Sequence, residues 1–179
     1  MKVAARLNGK HAFVTPVEQD TLIDQELAVF RDETLVDPNA FPGDVRQLLV
    51  YLHEHLFDES INVSTLLERS GTQGSSIRAR FKRNLGKTLQ VYLEEKRMLA
   101  AMRLLRYEWI DVSRIALEVG YAYPETFSRA FRRCMGCSPS GYRMRVSREA
   151  SRQEDQARLS SRIVKLDYQV ETSSRIVTQ

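Results

Sequence analysis

Cysteine and histidine are scarce in this chain, which holds two of the first and three of the second. Cys134 and Cys137 have the C-x-x-C spacing of a zinc half-site or a redox dithiol. Zinc would need two more ligands, and the only histidines are His11, His53 and His55, with no second cysteine pair. No metal and no cofactor are therefore expected. A redox dithiol usually opens a helix, whose N-terminus lowers the thiol pKa. This pair instead straddles Gly136 at the end of a predicted helix, where the dipole has the wrong sign, so a structural role is expected for both thiols. Glycine and proline are also few, at 8 and 5, which argues against a β-rich or low-complexity chain. No apolar run approaches the roughly 18 residues that span a bilayer. The start, Met1 to Arg6, is interrupted by Asn8 and Lys10 and does not resemble a signal peptide. These absences point to a cytoplasmic protein with no membrane partner.

What is present is amphipathic and unevenly charged. Hydrophobic residues make up 42% of the 179, enough to bury a core, and the long charged amphipathic stretches argue for an all-α fold. Residues 1–43 hold 4 Lys/Arg against 7 Asp/Glu. Residues 44–148 hold 18 against 11, and residues 149–179 hold 5 of each. The positive excess sits in the middle of the chain, as expected of a domain that binds a phosphate backbone.

That middle segment contains one pattern twice. The first copy runs Val63-Ser64-x-Leu66, Gly71, Ile77-x-x-x-Phe81-Lys82-Arg83-x-x-Gly86-x-Thr88-x-x-x-Tyr92. The second runs Val112-Ser113-x-Ile115, Gly120, Phe127-x-x-x-Phe131-Arg132-Arg133-x-x-Gly136-x-Ser138-x-x-x-Tyr142. The offset is 49 residues up to the glycine and 50 from Ile77 and Phe127 onward, so the second copy has one extra residue in its turn. Each copy reads as a short apolar helix, a glycine turn, and a helix that is apolar on one side and cationic on the other. This is a helix-turn-helix, and two in tandem point to a protein that reads double-stranded DNA.

Four segments follow. Residues 1–43 read as an irregular arm or linker, with a helical stretch near Leu22–Phe30 and a segment from His11 to Val17 that is expected to be extended. Residues 44–107 form the first subdomain. Asp44 is expected to cap a helix carrying Val45, Leu48, Leu49, Leu52 and Leu56 and ending near Asp58. Asn62 or Ser64 caps the next helix, which Gly71 ends. Thr88 caps a connecting helix reaching about Tyr107, roughly 28 Å long, with Met98, Ala101, Met102 and Leu105 as its apolar stripe. Successive major-groove faces lie about 34 Å apart, so a rigid connector of this length suits two readers on one side of a duplex. Residues 108–147 form the second subdomain, with Pro124 in the first turn of its recognition helix and Ser138-Pro139 opening a last helix. Residues 148–179 are a polar tail. There Val164, Leu166, Tyr168 and Val170 alternate with polar residues, which suggests a short strand or marginal order.

By Ile115-Ala116-x-x-x-Gly120-Tyr121, Phe127-Ser128-Arg129-x-Phe131-Arg132-Arg133-x-x-Gly136-x-Ser138-Pro139-x-x-Tyr142-Arg143, the chain closely resembles the AraC/XylS family of bacterial transcription regulators. The match covers about residues 44–147 and includes Arg97-Met98-x-x-Ala101-x-x-Leu104-Leu105 of the connecting helix. The resemblance implies two helix-turn-helix subdomains joined by that helix, an asymmetric site of about two helical turns, recruitment of RNA polymerase (most simply as an activator), and residence on the nucleoid. It assigns base contacts to Ser75, Ser76, Arg78 and Ala79 in the first unit and to Glu125, Thr126 and Arg129 in the second. Arg can bridge guanine O6 and N7, Glu can accept from cytosine N4, and the Thr methyl can touch that of thymine. Arg80, Lys82, Arg83, Arg132, Arg133 and Arg143 are assigned to phosphates, which position without specifying.

The first unit departs more from the family pattern. Leu67 stands where alanine is usual at the helix crossing, while Ala116 keeps the rule. Gln73 replaces a serine cap, and in the second unit Tyr123 occupies a capping site usually held by Asp or Ser. Only about 43 residues precede the first subdomain, so the expectation is either a stand-alone regulator or a sensor-less remnant of a longer one. No catalytic residue is expected. Some relatives carry a DNA-alkyl repair domain with a reactive cysteine, but the first 133 residues here contain none. A redox-sensing or protein-interaction module working through Cys134 and Cys137 is the alternative reading. Oligomeric state is left open.

Overall fold

The computed structural model describes the backbone of residues 3–7, 10–72 and 75–176, and the side chains of residues 15–72 and 76–157. Two strands, β1 (Val3–Leu7) and β2 (Lys10–Val14), pair antiparallel with Val3 opposite Val14 and Leu7 opposite Lys10. Among the described residues eight α-helices follow, with a 3-10 turn (Pro38–Ala40) between the first two. They are α1 (Pro16–Thr34), α2 (Gly43–Glu54), α3 (Val63–Arg69), α4 (Ser75–Leu85), α5 (Leu89–Leu104), α6 (Val112–Glu118), α7 (Pro124–Met135) and α8 (Pro139–Ile176). The chain divides into two compact units, Met1–Tyr142 and Arg143–Gln179. Both helix-turn-helix motifs lie in the first, which is helical apart from the hairpin.

The repeat becomes a repeat of structure. Helices α3 and α6 have 7 residues each, and α4 and α7 have 11 and 12. Gly71 and Gly120, which end α3 and α6, have φ of 69° and 83°, a conformation that costs a residue with a Cβ. Behind each recognition helix an aromatic pair stands edge to face. Phe81 meets Tyr92 at 5.6 Å and Phe131 meets Tyr142 at 5.7 Å. Ile77, Phe81, Phe127 and Phe131 are all buried, because a spacing of four places them on one side of a 3.6-residue helix. Leu67 is half-buried where its counterpart Ala116 is fully buried. Gln73 lies outside the described residues.

Helix α5 is the axle. It packs against α1, α4, α6 and α7, and Met98, Ala100, Ala101 and Leu104 are fully enclosed. Thr88 caps it as expected, its hydroxyl accepting from the Val91 amide. It ends at Leu104 rather than Tyr107, because the chain turns there through Tyr107 N–H to Leu104 C=O. Its 16 residues make it about 24 Å long.

Four expectations are corrected. Asp44 is not an N-cap: α2 begins after Pro42, and Asp44 sits inside the first turn with one carboxylate oxygen on the Val45 amide and the other on Arg80. Helix α2 ends at Glu54 rather than near Asp58, with the next residues in tight turns. The arm is not irregular. Thr15 and Glu18 form a capping box that starts α1, and Ile23, Leu27 and Phe30 are buried in the common core. Polar contacts tie α1 down: Glu26 accepts from Arg103 and from the Tyr107 hydroxyl, Arg103 also reaches Glu33, Lys96 donates to the Thr34 carbonyl, and Arg114 pairs with Asp20. Finally, the backbone of residues 148–176 continues α8 and forms no strand. After Gly141 no glycine or proline interrupts it.

One buried group makes stability depend on pH. The His53 ring, at the end of α2, meets the Tyr92 hydroxyl at 2.9 Å. Burial, and then the charge of Lys96, lower its pKa to about 4. The unfolded chain therefore binds a proton between pH 6.5 and 4 that the native chain does not. The stability held by neutral His53 is complete above pH 6.5 and is lost as pH falls toward 4. Lowering the pH from 7 to 4.5 is expected to remove about 2–3 kcal/mol, read as a falling urea midpoint. His53→Gln should flatten that dependence. Equal slopes for the two proteins would refute the assignment. The lowered carboxyl groups of Glu26 and Asp58 act only below their ordinary range, so this window reports the imidazole.

Candidate nucleic-acid interface

Helix α4 presents its cations on the side away from Ile77 and Phe81. Ser76, Arg78, Ala79, Lys82 and Arg83 are exposed. Ser75 is the first residue of α4, and its side chain lies outside the described residues. Helix α7 repeats the arrangement, with Glu125, Thr126, Arg129, Arg132 and Arg133 exposed and Phe127, Ala130 and Phe131 buried. Its start has Pro124 in the first turn, where a missing amide donor is harmless, and Tyr123 as an N-cap with no side-chain bond. That leaves the first amides of α7 without the cap that Asp or Ser would supply. Helix α3, by contrast, is capped by Asn62, which accepts from the Ser64 and Thr65 amides, while Ser64 lies within the helix.

The candidate residues are not equivalent. Arg80 is half-buried, donates from Nε to Asp44 at 2.6 Å and from a terminal nitrogen to Ser76 Oγ at 2.7 Å. It ties α4 to α2 and shares its charge with a carboxylate. Partial burial acts to raise the Asp44 carboxyl pKa, but the Arg80 hydrogen bond and the Val45 amide outweigh it and hold it below its ordinary value. Arg133 pairs with Glu94 of α5. Arg129 is exposed, with Nε 3.4 Å from the Glu125 carbonyl. Arg143 is half-buried on α8. The counter-charges Asp44 and Glu94 escape a reading of the recognition helices alone, because each lies about 40 residues from its partner in the chain.

Two grooves border α7. One, of about 450 Å³, is lined by Asn62, Gln90, Glu94, Thr126, Arg129 and Arg133 among others. The other, of about 620 Å³, is bordered by Ser113, Glu125, Arg129, Arg132 and Ser138, and so runs along the start of α6 and of α8. Ser138 Oγ accepts from the Gly141 amide and caps α8. Hydroxyls, arginines and helix starts collected along one groove suit a phosphate backbone.

The cysteine alternative finds little chemistry. Cys134 is exposed at the end of α7 and Cys137 is half-buried, both as free thiols. Burial, and then Glu94, push the Cys134 pKa up, away from the thiolate that redox exchange requires. Among the described residues no cluster of His, Cys, Asp and Glu is placed to hold a metal ion, and no helix is long and apolar enough to cross a membrane.

Comparison with known proteins agrees with this geometry. The family profile described as a helix-turn-helix domain matches residues 66–145. The chain is 31% identical over 102 residues to the regulatory protein SoxS of Escherichia coli K12, which covers 57% of this chain and 94% of that protein. It is 27% identical over 121 residues to the arabinose operon regulatory protein of the same organism, covering 66% and 41%. Among solved structures, the C-terminal domain of AraT, a response regulator from Geobacillus stearothermophilus, superposes with a TM-score of 0.54 at 28% identity, covering 58% of this chain and 86% of that one. The DNA-binding domain of AdpA, a global transcriptional factor solved in complex with a target DNA, gives 0.52 at 28% identity, covering 57% and 92%.

Proposed function

The chain belongs to the AraC/XylS family of DNA-binding transcription regulators, and from that premise we propose that α4 and α7 enter successive major grooves of one duplex and that the bound protein activates transcription. The observation that carries this reading is the duplicated helix with buried Phe81 or Phe131 on one side and exposed arginines on the other, both copies seated on α5. Base edges are read by Ser75, Ser76, Arg78 and Ala79 from α4 and by Glu125, Thr126 and Arg129 from α7. Phosphates are held by Lys82, Arg83 and Arg132, with Arg80, Arg133 and Arg143 as further positioning contacts. Recruitment of RNA polymerase and residence on the nucleoid belong to the same proposal.

Arg129 and Arg132 separate specification from positioning. Arg129→Ala is expected to cost about 1–3 kcal/mol on the cognate duplex and to relax preference at one base pair. Arg132→Ala should weaken binding to all sequences alike and reduce the salt slope by about 1. Gel-shift titrations on cognate and random duplexes measure both. Equal loss on the two duplexes for Arg129→Ala would remove it from the base-reading set.

A further inference from the structure

We propose that Arg97 is the positioning residue that locks the two recognition helices to one spacing, and so sets how far apart the two DNA boxes must lie. The inference rests on the two-groove reading above and adds to it the part that enforces the geometry.

Arg97 lies on α5 and, among the described residues, is the only buried side chain that carries a charge; the other buried polar side chains are His53, Ser70 and Thr72. Its guanidinium faces backbone, not a carboxylate. Nε donates to the Leu56 carbonyl at 2.8 Å. One terminal nitrogen donates to Gly120 at 2.9 Å, and the other to Asp58 at 2.7 Å and Ile61 at 3.2 Å. Leu56, Asp58 and Ile61 belong to the α2–α3 connection of the first subdomain. Gly120 is the turn between α6 and α7 of the second. One planar group on the connecting helix thus holds both subdomains by four hydrogen bonds. The Tyr121 ring adds a face 5.8 Å from the guanidinium carbon.

The fit leaves no slack. A Cβ on Gly120 would stand 2.9 Å from the guanidinium carbon and 3.0 Å from the Phe57 carbonyl oxygen. The turn that aims α7 is therefore pressed directly onto the arginine. Lysine cannot replace it: three donors around a point cannot reach carbonyls spread around a planar fork of five. Without the fork the two subdomains keep their aromatic pairs, Phe81 with Tyr92 and Phe131 with Tyr142, and their packing on α5, but lose the hydrogen bonds that join the α2–α3 connection to the Gly120 turn. A rigid connection makes the second docking event intramolecular at one fixed geometry, and a loose one lowers the effective concentration and widens the accepted span.

The test uses the full chain and a duplex selected by it from a random library, together with versions in which either box is scrambled or one or two base pairs are inserted between boxes. Arg97→Lys is expected to weaken binding to the intact two-box duplex by about 10–100-fold, to leave affinity for either single-box duplex within about threefold, and to flatten the dependence on spacing. Arg97→Gln, which keeps a polar group but loses the fork, should give the same signature if Arg97→Lys does not fold. Gly120→Ala displaces the guanidinium but also strains the turn at a φ of 83°, so it should lose stability together with the spacing preference. Retained spacing preference in the variants, or equal loss on one-box and two-box duplexes, would overturn the lock. So would a wild-type chain that accepts an inserted base pair at no cost. A wild-type footprint confined to one groove would instead fail the two-groove reading itself.

Discussion

Phe131→Ala is expected to lower the unfolding free energy by about 3–5 kcal/mol. Phe131 has no exposed surface, stands edge to face with Tyr142 and lies 5.6 Å from Phe127. Truncation removes the apolar transfer energy of a large ring, leaves a void the neighbouring helices fill only in part, and takes away two aromatic contacts. Total stability of a domain this size is about 5–15 kcal/mol, so the variant should lie close to unfolded at physiological temperature. Denaturant melts measure the loss. Arg132→Ala, one residue on and exposed, is the control and should change stability by no more than about 0.5 kcal/mol. Two melts that coincide would mean that α7 is not held by its aromatic side. Loss of DNA binding in Phe131→Ala would follow from loss of the helix, whereas loss in Arg132→Ala comes from a missing contact on a folded one.

Raising KCl from 50 to 200 mM is expected to weaken DNA binding by about 10²–10³-fold. Each phosphate neutralised by a cation releases condensed counterions and adds about −0.9 to the slope of log K against log salt. The six phosphate candidates would give a slope of about −5 if each acted fully. Arg80 and Arg133 enter with carboxylates already in place, Asp44 and Glu94. Exchanging a carboxylate for a phosphate releases less counterion, which moves the slope toward about −4. Anisotropy titrations across that range read the slope directly. A value shallower than about −2 would mean that α4 and α7 do not lie along the backbone as proposed. Asp44→Asn and Glu94→Gln, which free the two arginines, should steepen it.

The two helix-turn-helix units were legible because their signals are local. Apolar residues four apart and a glycine at each turn write the motif into a dozen residues, Pro124 adds a start signal in the second copy, and each copy checks the other. Thr88 was readable as a cap for the same reason, and Asn62 as one of two candidates beside Ser64. Asp44 misled because a capping residue and a first-turn carboxylate look alike in sequence, and what separates them is Arg80, 36 residues away. Helix α1 was only half seen, although its Thr15–Glu18 capping box lay in plain view. Its attachment to α5 depends on Arg103 and Tyr107, which no local pattern connects to it. In the tail, alternating residues suggested a strand, yet alternation over so few positions fits either period, and an uninterrupted run without glycine or proline favours the helix. At the interface, the exposed cations were readable from periodicity. Which of them carry internal counter-charges was not, because ion pairing is a tertiary fact.

Helix α1 carries Glu18, Asp20, Asp24, Glu26, Asp32 and Glu33 against a single Arg31, and it docks on the connecting helix. Asp20 already pairs with Arg114, and Glu26 and Glu33 with Arg103, so half of this acid is answered within the fold. Brine that screens these ties leaves Ile23, Leu27 and Phe30 as the grip that keeps α1 on the connector.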